Sequence, residues 1–288
     1  MGILKALATG MGTSARKPRV LAVLYVVNTA FAAAVAVPIL AVVQAELGHS
    51  YLGSNVRPLD LNWLGEAALG YAKAAPALAA GLVLALALYA ALQVFLNGGV
   101  VGRLLDKEGR ATLGAYFGDC GRYLGRYARL FLVSAVFLVL AFGVVLRLVA
   151  AAFEPLKEGA ATEWLPLILS NVHLLLTLLL LSVVRMVVDY ARIAVVADDE
   201  RRVLKALRHA LTFLRKRFFR AWALYLLVVA VTLAGTALFY ILLGPLGRPT
   251  VGAVVAAIVL MQAYIVFRLW VRTLFVAAQA EYYRSHPY

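Results

Sequence analysis

The sequence predicts an all-α integral membrane fold of six spans, and three observations predict it. The chain has 288 residues, 64% of them hydrophobic and only 15% charged, where soluble domains run near 45–50% and about 25%. Six apolar stretches each reach the roughly 20 residues that a helix needs to cross a bilayer at about 1.5 Å per residue. The remaining charge is lopsided, with 28 Lys+Arg against 14 Asp+Glu for a net +14, and only Arg147, Arg185 and Arg268 of these fall inside the stretches.

The spans are 20–43, 74–96, 130–153, 164–188, 221–243 and 251–271, within one polytopic domain over residues 1–288. Lys5, Arg16, Lys17 and Arg19 ahead of the first span resemble the start of a signal peptide. The apolar run is longer than the 7–15 residues typical of a signal core, so the span is expected to stay as an anchor. Pro38 predicts a kink inside it. Pro76 stands at the first turn of the second span, where a missing N–H costs little, and Pro155, Pro245 and Pro249 mark short connections.

Orientation follows from the basic residues, which stay on the cytoplasmic side of span ends. With both termini inside, only Arg57, Lys73, Arg147, Lys157 and Arg248 fall on the outer side. The net charge then belongs to the cytoplasmic face, where an anionic leaflet attracts each nearby cation by about 1 kcal/mol. Because every cation lies within a few turns of a bilayer surface, the basic balance points to anionic lipid and not to nucleic acid.

Two internal connections are long enough to hold helices, expected at about 111–129 and 201–220. In the second, Leu204, Leu207, Leu211, Leu214 and Phe218 recur at helical steps. Arg201, Lys205, Arg208, Arg215, Lys216 and Arg217 crowd the rest of its surface. This is the pattern of an amphipathic interfacial helix with its cations among lipid head groups. Packing of the stripe on the protein's own spans fits the pattern equally well. Asp198, Asp199 and Glu200 precede it, favourable charges for a helix N-terminus. In the first connection Leu113, Tyr116, Phe117, Cys120, Leu124 and Tyr127 form a broad face, while Gly114, Gly118, Gly121 and Gly125 line another. Small residues at such spacing predict close docking of that second face against a span or a partner subunit.

The two connections resemble one another. Gly125-Arg126-Tyr127-Ala128-Arg129 aligns with Lys216-Arg217-Phe218-Phe219-Arg220, and Asp106-Lys107-Glu108 with Asp198-Asp199-Glu200. Phe267-Arg268-Leu269-Trp270-Val271 further echoes Val184-Arg185-Met186-Val187-Val188. Equivalent spans cross in the same direction, so the expected repeat is parallel, with spans two, four and six running past the bilayer.

Chemistry-bearing residues are few. Arg147 and His173 lie about 9 and 14 Å from the outer ends of neighbouring spans by helical rise. Together with Asn171 they are the candidate intramembrane polar site, able to hold an anionic group or relay a proton. Interhelical hydrogen bonding and snorkelling toward Glu154 or Glu158 are the plainer reading. Arg185 and Asp189 at i,i+4 are expected to form a structural ion pair. Cys120 stands alone, which excludes an intramolecular disulfide. No nucleotide-binding, zinc-protease or serine-hydrolase motif occurs, no Asp or Glu lies within the spans, and no cofactor is expected. His49 and Asp60 in the outer loop form only a weak metal or acid–base pair.

Phe95-Leu96-Asn97-Gly98-Gly99 ending an inward span, the helix after it, and the block from Asp189 to Arg220 together resemble polytopic bacterial membrane proteins of unknown function. Among these is the membrane domain associated with glycerophosphodiester phosphodiesterases. The resemblance covers about residues 95–223 and implies a bacterial inner-membrane location. No phosphodiesterase domain accompanies it, so no enzymatic activity is implied. The expected function is a non-enzymatic interaction or assembly component, with a protein partner or second copy. The alternative is a transporter or permease for a small anionic or amphipathic solute.

Overall fold

A computed structural model describes residues 2–47, 75–106, 112–159, 164–246 and 250–286, and among them there are helices and no strands. α1 is Ile3–Ala15, α2 is Pro18–Leu47 and α3 is Ala75–Leu105. α4, Leu113–Leu140, passes through a π-helical turn at Ala141–Val145 into α5, Leu146–Glu158. α6 is Trp164–Ala197, α7 is Val203–Leu243 and α8 is Val251–Arg284. The stretches Pro18–Pro38, Ala79–Leu105, Leu113–Lys157, Trp164–Ala197, Val203–Leu246 and Val251–Arg284 are long and apolar enough to cross a membrane. The chain is therefore a multi-pass membrane protein by the length and composition of its helices.

Local chemistry sets several ends. Pro18 opens α2, where a missing N–H costs nothing. Thr112 and Thr250 cap α4 and α8, their hydroxyls accepting from the N–H groups of Ala115 and Ala253 at 3.3 Å. α2 continues through Pro38 to Leu47. Pro155, expected in a connection, lies inside α5 instead. The outer loop with His49 and Asp60 lies outside the described residues.

The connections differ from the interfacial helices expected at 111–129 and 201–220. From Leu113 the helix runs unbroken to Leu140, so the first is an extension of the third span rather than an element of its own. The second leaves helical geometry only at Arg217 (φ −138°, ψ 25°), which bends α7 a few residues before its apolar stretch. Before and after that bend α7 runs antiparallel to α6: Tyr190 meets Phe213 with ring centroids 5.0 Å apart, and Trp222 Nε1 donates to Ser182 Oγ at 3.3 Å.

Two compact units make up the chain. The smaller, Ala22–Gln93, holds a polar knot between α2 and α3. Asn28 Oδ1 accepts from Tyr89 Oη at 2.9 Å and from Gln93 Nε2 at 2.8 Å, while Asn28 Nδ2 donates to the Leu24 carbonyl at 2.6 Å. Such bonds tie helices together where water cannot satisfy the amides.

The larger unit, Met1–Leu21 with Val94–Tyr288, has its core at the basic ends of the helices. Buried residues include Val101 and Leu105 of α3, Tyr123, Tyr127 and Leu130 of α4, Met186, Tyr190 and Ile193 of α6, Val203, Leu207, Phe213 and Leu214 of α7, and Ala278 to Tyr283 of α8. Burying a side chain such as Phe213 or Met186 stabilises by roughly 1.5–3 kcal/mol. The apolar windows of the spans are far less covered, from 0% buried in Trp164–Ala197 to 17% in Leu113–Lys157. Those surfaces have the composition of a lipid-facing exterior, not of a protein interior.

Candidate functional site

At the basic ends, close helix contacts come first. A Cβ built at Gly99 would lie 2.5 Å from Cys120 Sγ and 2.8 Å from the Tyr116 carbonyl oxygen. One at Gly98 would press on Tyr123, and one at Gly102 on Asp119. The glycines of α3 thus admit the aromatic face of α4, and Tyr116 Oη donates to the Leu96 carbonyl at 3.1 Å. This corrects the docking against a span expected at Gly114, Gly118, Gly121 and Gly125, each of which has no atom of this chain within 4 Å of an added Cβ. α4 docks through its aromatic stripe because the facing helix supplies the small residues. Elsewhere in the unit, Gly10 of α1 brings Ala278 of α8 into backbone contact, and the hydroxyls of Ser14 and Thr273 share a hydrogen bond at 2.6 Å.

Charge then stitches the helices. Arg103 at the end of α3 meets Asp119 of α4 at 2.6 Å and Asp106 at 3.1 Å. Lys17 is buried and its Nζ donates to the carbonyls of Arg103 and Asp106 at the end of α3, where a cation is favourable. Burial lowers the Lys17 pKa from the ordinary lysine value, against the opposing pull of Asp106. Arg272 of α8 donates to Asn97 Oδ1 of α3 at 2.8 Å, and Tyr127 Oη of α4 to the Arg192 carbonyl of α6 at 3.1 Å.

The acidic run between α6 and α7 has a different role from the helix-terminal one expected for it. Asp198 Oδ2 accepts from Tyr283 Oη of α8 at 2.9 Å and lies 3.3 Å from His209 Nδ1 of α7. Asp199, at a positive φ of 45°, pairs with Arg126 at 2.7 Å and Arg122 at 3.3 Å on α4. The Arg126 hydrogen bond holds its carboxyl below the usual carboxylate range. Glu200 acts locally, accepting from the Arg202 N–H and pairing with Lys205 at 2.7 Å, contacts that lower its pKa too.

The residues singled out from sequence fall into three groups. Arg185 Nε does approach Asp189 Oδ2, at 4.0 Å, but the shorter contact is Arg192 to Asp189 at 3.1 Å. In the outer part of the spans, the described hydrogen bonds and ion pairs do not join Arg147, His173 and Asn171. Arg147 is exposed, Asn171 Nδ2 donates back to the Leu167 carbonyl of its own helix at 2.8 Å, and the His173 ring stands edge-on to Phe153 at 6.5 Å with its Nδ1 buried and unpartnered. On α7, Leu207 and Leu214 turn into the core while Leu204 and Leu211 stay outside. The cations Arg201, Lys205, Arg208, Arg215 and Lys216 are exposed around them, and Arg217 is half-buried at the bend.

What the sequence reading missed are the long-range partners Asp119, Arg126 and Arg272, and the i,i+3 pairing of Arg192 with Asp189. The first three meet residues distant in sequence, so only the register of the packed elements could have disclosed them. Among the described residues no three His, Cys, Asp or Glu side chains converge as metal ligands do. Comparison with known protein families, curated proteins and solved structures finds no match.

Proposed function

We propose that this chain is a non-enzymatic component of the bacterial inner membrane that acts in interaction or assembly. Its termini and basic helix ends face the cytoplasm, and anionic lipid head groups surround the exposed cations. One observation carries the reading: the close packing and the charge network are concentrated at the basic helix ends, while the apolar windows of the spans are left 0–17% buried. A protein organised in this way presents a preformed platform on one side of the bilayer and broad apolar flanks within it. The cations of α7 support the lipid contact, because Arg208, Arg215 and Lys216 remain exposed after the inner half of the stripe is spent on the core. The two helix pairs, α3 with α4 and α6 with α7, support the parallel repeat, since each ends an apolar helix a few turns beyond its span and turns back. The transporter reading draws less support, as Asn171 is bonded to its own helix and Arg147 is exposed.

Extraction into native nanodiscs followed by mass spectrometry of copurified protein and lipid tests this reading. A stoichiometric partner or second copy together with enriched anionic lipid is expected. A lone monomer in bulk lipid that drives solute flux in proteoliposomes would overturn it.

A further inference from the structure

Where α6, α7 and α8 meet, three polar side chains are sealed in the aromatic core without partners. Tyr190 and Tyr282 are 0% exposed and Gln279 is 1% exposed. Both phenol oxygens, Gln279 Nε2 and Gln279 Oε1 make no hydrogen bond. They belong to one neighbourhood. Tyr190 and Tyr282 both contact the Phe213 ring, at 5.0 and 5.8 Å between centroids, and Tyr283 contacts Tyr190 at 6.3 Å and Phe213 at 5.1 Å. Gln279 precedes Tyr282 and Tyr283 by three and four residues on α8, the spacing that puts side chains on one helix face.

Buried polar groups in folded proteins are almost always bonded, because leaving one without a partner forfeits its hydration. These four atoms, on side chains that share one helix face or one aromatic neighbour, are served by a partner that both donates and accepts. A charged species is excluded by chemistry, since phenols and a primary amide cannot neutralise an ion removed from water. The same buried cluster contains the small side chains Ala191, Ala194, Ala206, Ala210 and Ala278. We propose that this core is an internal hydration site, in which one or more bound water molecules bridge Gln279 to the hydroxyls of Tyr190 and Tyr282. Held this way, the water fixes the end of α8 to the α6–α7 pair with directional bonds that the surrounding apolar contacts cannot supply.

The test uses the full chain in nanodiscs. An experimental density map that resolves water should show a solvent peak within hydrogen-bonding distance of a Gln279 amide atom and of at least one of the two phenol oxygens. A dry site with the amide bonded directly to a phenol would overturn the proposal. Tyr190→Phe and Tyr282→Phe each delete one oxygen and keep the ring. Each should lower the thermal midpoint by roughly 2–4 °C, and the double variant by less than the sum, because both hydroxyls share the bridging water. An unchanged or raised midpoint in either single variant would overturn it.

Discussion

Arg103 and Asp119 lie 2.6 Å apart across the α3–α4 pair with side chains 13% and 14% exposed. The contact is a charge-assisted hydrogen bond held away from bulk water, and it joins two helices whose glycine-to-aromatic packing brings them close. Asp119→Asn should lower stability by about 1.5–3 kcal/mol, the range for hydrogen bonds to charged groups. Thermal unfolding in nanodiscs, with an Arg103→Gln partner in a double-mutant cycle, would measure it.

Two glycine substitutions should have opposite signs. Gly99→Ala places a methyl against Cys120 and the Tyr116 carbonyl, and overpacking of this kind costs about 1–3 kcal/mol. Gly118→Ala meets open space and should stabilise by up to about 1 kcal/mol, the helix preference for Ala over Gly. Equal effects in unfolding measurements would mean that the docked face of α4 has been misassigned.

The contrast between those glycines also shows how far the sequence could be read. Span number, length and approximate position were legible because hydropathy is a local property; i,i+4 spacing pointed Arg185 at Asp189, which Arg192 meets at shorter distance. Gly114, Gly118, Gly121 and Gly125 formed a regular stripe, yet regularity says only that close approach is permitted. The smaller group Gly98, Gly99 and Gly102 is the one that meets Tyr116, Asp119, Cys120 and Tyr123 of α4, a register that only tertiary packing discloses. The leucines of α7 were divided in a similar way: Leu207 and Leu214 are buried while Leu204 and Leu211 are exposed, and no hydrophobic pattern names the apolar surface a helix will cover. Arg126 with Asp199 and Arg272 with Asn97 depend on tertiary register and had no local signature.

Lys17 should be sensitive to loss of its ammonium. Lys17→Met keeps much of the apolar stem and removes both donors to the carbonyls of Arg103 and Asp106. A destabilisation of about 1.5–3 kcal/mol is expected from losing hydrogen bonds donated by a charged group. Faster amide exchange in residues 100–105 would locate the effect at the end of α3.

Acid should loosen the tie between α4 and the α6–α7 turn. The folded-state pKa of Asp199 is lowered, chiefly by its hydrogen bond from Arg126. Its contribution is thus fully present above the ordinary carboxylate range and is lost as pH falls through the lowered folded value. The carboxylate is 53% exposed, so the effect is small. Asp199→Asn should flatten that part of the stability profile on the acid side of about pH 4. An acid profile identical to the parent's would count against the pairing.

The placement of the basic helix ends in the cytoplasm is tested most directly by labelling with a membrane-impermeant maleimide. Native Cys120 is buried against Gly99, so a cysteine at the exposed Thr212 in a Cys120→Ala background is the better reporter. Labelling only after the inner membrane is permeabilised is the expected result. Labelling in intact cells would contradict the orientation and, with it, a cytoplasmic platform.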